Sequence, residues 1–478
     1  LKALGARVQP FIPSRLDEGY GLSQDALQRC VEEHDPLVLI SVDCGVNSGE
    51  SVAWAQSKGV DVIVTDHHEP LEETAPALAL INPKLARPEQ GRGRTFPELE
   101  NLSGVGVAFK LAHALVKHGR VQAKEPAEQV DLRNYLDIVA LGTVADIVPL
   151  VHENRIMVRH GLAQLNRTQW VGLQALKQIA GIRGEVDSFH LGFQLGPRIN
   201  AVGRIGQPMQ ALRLLITEDA GEARRIAKLL DDTNAERRRI EAEMADEAFA
   251  EIDEYFDPAT HFGLVVAREG WHPGVVGIVA SRVSRHYHRP AIIMGIEADG
   301  SARGSCRSID EYNVLDGLHA CAGHLSKHGG HKMAAGLELN PGAVESFRKD
   351  FNAAAAESLA GVDLSPVQHI DAIMSADQLD GALYEQLKSL RPFGQDNPEP
   401  VWALLGVHVS GSPRVVGKKH LKFKLTADGR RFDAIAFNYA LDRLPSGSID
   451  VAFTLTENNW NGNTSLQLQV KDIRPSAQ

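Results

Sequence analysis

Two apolar runs that each end on an acid constrain this chain more than any other feature. Leu37-Val38-Leu39-Ile40-Ser41-Val42 runs into Asp43 and the turn Cys44-Gly45-Val46-Asn47-Ser48-Gly49. Val62-Ile63-Val64-Thr65 runs into Asp66-His67-His68-Glu69-Pro70. β-branched runs of this length predict buried strands, and the helix-like residues 50–58 between them make strand, helix and strand one βαβ unit. The two strands are then parallel neighbours, which brings Asp43, Asp66 and His67 to one edge of a sheet. Ligands of open α/β sheets collect at such carboxyl ends. A third acid, Asp146, closes the apolar run 138–145 and is predicted as a further strand-end site.

Carboxylates mixed with neutral imidazoles suit a divalent ion of intermediate softness, manganese rather than calcium. Two such ions side by side polarise a phosphoryl group and activate a bridging water for in-line attack. Each residue alone has an ordinary explanation: a boundary Asp, Asp146 included, is usually a cap, and a lone His67 is usually a half-buried, satisfied ring. Three such sites together, one with adjacent histidines, favour a metal site.

The 478 residues predict two to four domains, and a 43% hydrophobic fraction is enough for sizeable cores. No apolar run is long enough to span a bilayer and no secretory leader is visible, so no membrane partner is expected. Cys30, Cys44, Cys306 and Cys321 show neither paired metal-ligand spacing nor a disulfide framework, which predicts a reducing cytoplasm. The formal charge of −11 excludes a generally basic coat for nucleic acid. It leaves a locally lined channel open, because only the field along a groove steers a polyanion.

Along the chain, Val8-Gln9-Pro10-Phe11-Ile12-Pro13 is expected to be a short strand, Ser23 a helix cap, and residues 71–100 an excursion rather than a core element. Residues 101–110 enter an apolar helix, with Gly104 and Gly106 as close-packing glycines rather than a phosphate loop. Residues 155–180 are predicted helical, and the glycine-rich segment 195–204 carries Arg198 and Arg204. From Pro208 to Phe256 the chain turns to Ala, Leu, Glu and Arg, with Thr217-Glu218-Asp219 as a cap, predicting one or two long helices that serve as an inter-domain strut. The charged stretch 236–241 is expected to face water.

A second domain starts near His261, with strands at 263–267 and 290–294 and a turn at 271–274 entering an apolar helix. Arg303-Gly304-Ser305-Cys306-Arg307-Ser308 and residues 329–336 combine small residues, hydroxyls and forked donors suited to phosphate oxygens. A tight turn plus a packed helix explains either one equally well. A third region begins near Ile370. Five alternating runs, 407–409, 420–425, 432–437, 451–455 and 466–470, suit a small OB-type barrel. Lys418, Lys419, Lys422 and Lys424 form a face able to track a single strand, with Phe423 turned into the core.

Ser41-Val42-Asp43-Cys44-Gly45, Thr65-Asp66-His67-His68 and Ala145-Asp146-Ile147-Val148-Pro149-Leu150 resemble the second, third and fourth motifs of the DHH phosphoesterase superfamily. The likeness is nearest to its RecJ family of single-strand-specific 5′-to-3′ DNA exonucleases, and residues 303–308 and 329–336 resemble the associated DHHA1 domain. The resemblance implies Asp43, His67 and Asp146 as metal ligands, with two Mn2+ or Mg2+ ions expected in the intact protein, and Asp66 and His68 completing the catalytic set by supporting them or touching substrate. It also implies phosphate contact for Arg204, and a terminal 5′-phosphate held by Ser305 and Arg307 with Arg303 and His331 nearby. The family's first motif, an Asp-rich loop, has no counterpart here. Residues 1–6 resemble the end of the helix that follows it and the first residue is not Met, which predicts an N-terminally truncated sequence.

The expected architecture is α/β: a DHH parallel-sheet domain over residues 1–207, connecting helices over 208–257, a DHHA1 α/β domain over 258–362 and an OB-type β-barrel over 363–478. The implied partners are single-stranded DNA, a single-strand-binding protein and a RecQ-type helicase. Two other functions fit the same sequence: a DHH phosphodiesterase for short oligonucleotides or cyclic dinucleotides, and an inactive single-strand-binding module.

Overall fold

The structure, a computed structural model, describes residues 1–14, 18, 21–85, 96–417, 419–460 and 463–476. The chain forms two units, Leu1–Val148 with His152–Ser365, and Pro149–Val151 with Pro366–Gln478.

In the first unit, β1 (Val38–Val42), β2 (Asp61–Thr65) and β3 (Ala79–Ile81) form a parallel sheet in the order β1-β2-β3. Val42 pairs with Thr65, so Asp43 and Asp66 leave the sheet side by side. The crossover helix Gly49–Ser57 buries Val52 and Ala55 against Val62 and Val64 of β2. Ser23 caps the helix Gln24–His34, its hydroxyl accepting from the Ala26 amide.

Three local expectations are corrected. Residues 8–13 join no strand; Pro10 and Pro13 lack the amide that a ladder needs. The segment 71–100 is not wholly an excursion, because its Ala-Leu-Ile run is β3; residues 86–95 of it lie outside the described residues. Asp146 does not end a strand. It is the C-cap of the helix Leu136–Ala145, whose run is apolar around its whole circumference because the helix is buried.

The connector is the helix Met209–Ile216 followed by the 36-residue helix Ala220–Tyr255, whose Asp219 cap accepts from the Glu222 amide. Glu236, Arg238 and Arg239 face water as expected, but Arg237 turns inward to Glu241 and to the buried Asn234. Beyond it, β4 (Leu264–Glu269), β5 (Ala291–Ile296), β6 (Ala302–Arg307), β7 (Leu325–His331) and β8 (Ala334–Leu339) form a sheet in the order β4-β5-β6-β8-β7. The parallel pair β4 and β5 is joined by the helix Val276–Tyr287, and the remaining pairs are antiparallel. The two glycine-rich motifs are therefore strands rather than a turn and a helix.

In the second unit, β9 (Ala372–Ile373) flanks β10 (Trp402–Val416), β11 (His420–Ala427), β12 (Arg430–Ala436), β13 (Ser448–Trp460) and β14 (Asn463–Pro475). The pairing runs β10-β11-β12-β14-β13 and back to β10, a closed five-stranded barrel with one parallel pair, β12 and β14. Leu404, Phe423, Leu425, Val451, Phe453 and Leu468 fill it. Phe423 points inward and its neighbours Lys422 and Lys424 alternate away from the core. Lys419 is exposed, and Lys418 lies outside the described residues. Among the described residues no helix is long and apolar enough to cross a membrane. All four cysteines are free.

Candidate metal centre

Asp43 sits one residue past β1 at φ 66, left-handed for a residue with a Cβ, and its amide donates to the Thr65 carbonyl at 2.9 Å. The Thr65 hydroxyl in turn donates to the Ser41 carbonyl, and the Ser41 hydroxyl to the Cys44 carbonyl, so hydrogen bonds lock the strand ends together. His67 Nε2 lies 3.0 Å from Asp43 Oδ1 and 3.4 Å from Asp146 Oδ2. Among the described residues, neither of the buried atoms Asp43 Oδ1 and His67 Nε2 makes a hydrogen bond, although they are neighbours. With the lone pair of a neutral His67 Nε2 turned to the Asp43 carboxylate, the two atoms face one another as acceptors, an arrangement that a cation between them would satisfy. Asp43, His67 and His68 also form a group whose ligand atoms lie within 4.8 Å of one another.

Asp66 is buried and accepts four hydrogen bonds: from the amides of Val46 (2.9 Å), His67 (2.8 Å) and His68 (3.2 Å), and from His68 Nδ1 (2.7 Å). Burial alone would raise its pKa; the His68 ring and the three amides outweigh burial and hold it at about 2. The same ring bond raises the pKa of His68. Asp66 thus orients His68 as a carboxylate orients a metal-bound imidazole.

Asp146 shows the opposite balance. Burial, and then the charge of Asp43, raise its pKa, only partly offset by His67, His68 and the Gly104 amide. It also sits at the negative end of its helix. A carboxylate placed against its own helix dipole and a second carboxylate is stabilised by a cation, and the donor set fits a divalent ion.

Sequence reasoning missed what four residues contribute to the site. Gly104 opens the helix Gly104–Val121, and a Cβ there would collide with Asp43, 2.6 Å from its Cβ, so the close packing expected of this glycine is packing against a candidate ligand. The serine before it caps that helix and meets Thr143 at 2.9 Å, tying the helix start to the one that ends on Asp146. Asn82 donates to the His68 carbonyl at 2.8 Å, and Asn47 donates to that of Glu69 at 3.0 Å, fixing the backbone on both sides of His68. Asn47 alone had a signal, its place in the turn after Asp43.

Three family models cover most of the chain: the DHH family N-terminal domain over residues 1–143, the DHHA1 domain over 261–357 and the RecJ OB domain over 370–472. The single-stranded-DNA-specific exonuclease RecJ of Dickeya dadantii is 36% identical over 99% of this chain and 84% of its own length. The chain belongs to the RecJ family. The RecJ of Bacillus subtilis is 38% identical over the whole chain, which spans 58% of that relative. The crystal structure of Thermus thermophilus RecJ in complex with Mn2+ superposes with a TM-score of 0.82 at 31% identity, covering all of this chain and 66% of that one. The closed barrel, the parallel sheet and the β4–β8 domain are thus the RecJ fold.

The other predicted site residues gather in the first unit. Ser305 and Arg307 share one face of β6, and Arg307 Nη1 donates to Ser305 Oγ at 2.8 Å and to the Cys306 carbonyl at 2.7 Å. Burial pushes the Arg307 pKa down, the mark of a cation short of counter-charge. Gly277, in the first turn of the helix Val276–Tyr287, leaves room for both side chains: a Cβ there would lie 3.1 Å from each. His331 lies two strands away in line with Arg307, through Ala334. Arg204 Nη1 donates to the Gly274 carbonyl at 3.1 Å, at the turn that leads into that helix. Arg303 stands apart, half-exposed and 3.6 Å from Glu338. Arg198 is engaged by Asp231 at 2.9 Å.

Proposed function

We propose that this protein is a metal-dependent 5′-to-3′ exonuclease that hydrolyses single-stranded DNA to 5′-mononucleotides. The observation that carries the reading is the buried pair Asp43 Oδ1 and His67 Nε2, 3.0 Å apart and neither in a hydrogen bond among the described residues, with Asp146 beside them. Asp43, His67 and Asp146 would hold Mn2+ or Mg2+, which supplies electrophilic charge for the scissile phosphodiester when bound. Asp66 fixes the His68 ring against that centre. Ser305 and Arg307, with Arg204 and His331, hold the terminal phosphate, at the first turn of the helix Val276–Tyr287 where the dipole favours an anion. An anchored end sets which phosphodiester reacts, and this gives the polarity. Arg303, paired with Glu338, contributes at the rim. The exposed Lys419, with Lys422 and Lys424, tracks the backbone of the strand. A single-strand-binding protein and a RecQ-type helicase fit as partners on family grounds, and four unpaired cysteines suit a reducing cytoplasm.

Digestion of 5′-labelled single-stranded, duplex and dinucleotide substrates with Mn2+ tests the reading, with His67→Ala as the control. Mononucleotides released from single strands alone, and lost in the control, support it. Cleavage confined to dinucleotides would move the assignment to a small-substrate phosphodiesterase, and strand binding without Mn2+ uptake to a binding module.

A further inference from the structure

Two aromatic rings of the first unit are left in the open. Phe189 is 56% and Phe193 72% exposed, and the two stack on one another with centroids 4.9 Å apart. Apolar residues scattered singly over a surface need no account, but rings gathered outside the core do. The backbone beneath them is held. Asp187 caps the short helix Ser188–His190, accepting from the His190 amide at 3.0 Å, and just before it the Val186 amide donates to the Asn166 side chain at 2.7 Å. Beyond it the chain makes a π-helical turn, Leu191–Leu195, in which the Leu191 carbonyl accepts from the Gly196 amide. Pro197, in the first turn of the helix Gly196–Ile205, has no amide to give the Phe193 carbonyl, so the ordinary ladder is interrupted there. Turns of this kind are frequent at functional sites.

The pair also lies close to the candidate metal centre. A Cβ on Gly196 would lie 3.3 Å from Ala145 Cβ, and one on Gly192 3.6 Å from Val144 Cγ1. This stretch therefore packs on the last turn of the helix that ends on Asp146. Pro197, Asn200 and Arg204 follow Phe193 at the i+4, i+7 and i+11 spacings of one helix face, and Asn200 is exposed as the rings are. Eleven residues at 1.5 Å each set Phe193 about 16 Å along that face from Arg204, the proposed phosphate contact. That span is a few nucleotides of strand.

We propose that Phe193, backed by Phe189, is a stacking platform for one base of the single strand, a few nucleotides inward from its 5′ end. Rings at 4.9 Å are already in contact and leave no gap for a base between them, so the base lies on the open face of Phe193. Every base has a π face, and such a platform holds a strand without reading its sequence. The inference rests on the reading of the substrate as a single strand and deepens it, adding a hold on a base to the hold on the terminal phosphate.

The test is the affinity of the full chain for a 5′-phosphorylated, 3′-fluorescein-labelled single strand, read by anisotropy in EDTA so that nothing is cut. Phe193→Ala should weaken binding about tenfold, within the range for one stacked base. Phe193→Trp should bind at least as well as the parent, whereas Phe193→Leu, apolar but without a π face, should be as weak as the alanine variant. A single abasic residue walked inward from the 5′ end should cost the parent about tenfold at one position and cost Phe193→Ala nothing further there, the coupling expected of two groups in contact. Leucine binding as tightly as tryptophan would make the patch a general apolar contact and overturn the inference. An abasic penalty equal in parent and Phe193→Ala at every position would overturn it too, and either result leaves the single-strand reading standing. No binding of single strands by the unsubstituted protein would overturn both, and that outcome is recognisable before any variant is made.

Discussion

Asp66 and Asp146 are carboxylates of the same site with opposite electrostatics, and the difference lies in their donors. Asp66 has four hydrogen-bond donors and a pKa of about 2; Asp146 has burial and a like charge, and its pKa is raised. For Asp66 the folded value lies below the ordinary 3.8, so its stabilisation is present above that value and is lost as the pH falls toward 2. At about 1.4 kcal/mol per pH unit the gap is worth on the order of 2 kcal/mol. Asp66→Asn should therefore lower stability at neutral pH by about that amount and flatten the acid limb between about pH 4 and 2, as measured by urea unfolding across pH. It should also lower Mn2+ affinity by about 10- to 100-fold, because the His68 ring loses its anchor. His67→Ala removes a candidate ligand outright. Manganese-dependent cleavage should then disappear while single-strand binding by filter retention stays near the parent level.

At the scale of elements, the helix Gly104–Val121 matters for where it begins. Alanine is the better helix former by about 1 kcal/mol, so Gly104→Ala should leave or slightly raise the helical circular-dichroism signal. The new methyl would nonetheless push into Asp43, and Mn2+ binding should weaken at least about tenfold. Retained helicity with unchanged Mn2+ binding would show that Asp43 is not held by this approach. The parallel pair β1 and β2 was legible because two β-branched runs separated by one helix have few other ways to pair. The barrel was legible because its five runs alternate with a period of two. The element carrying Asp146 was not: a buried, largely apolar helix has the same composition as a buried strand, and only its ten-residue length, with Ala140 and Ala145, argued for a helix. Gly104 against Asp43 and Asn82 against His68 were illegible for another reason. They join distant stretches of the chain, and no local pattern encodes them.

At the scale of the whole molecule, the charge of −11 and a polyanionic substrate are compatible only if cations are concentrated where the strand runs. Lys422→Glu with Lys424→Glu should raise KM for a long single strand while leaving kcat nearly unchanged. The slope of log affinity against log salt should fall by about 0.7 for each phosphate that is no longer neutralised. An unchanged slope would move the binding face elsewhere on the barrel. The helix Ala220–Tyr255 buries Ala223, Ile226, Ala227 and Leu230 near its start and Met244, Ala245, Ala248 and Ile252 near its end, with the charged stretch between. Thirty-six residues at 1.5 Å each make a rod of about 54 Å. One end packs on the helices Val171–Ile179 and Gly196–Ile205 and the other on the helix Val276–Tyr287 and β4. On the proposed reading, a cutting centre and an end-holding pocket joined by one rod would work as a gauge: product length would be set by protein geometry, whatever the sequence of the strand.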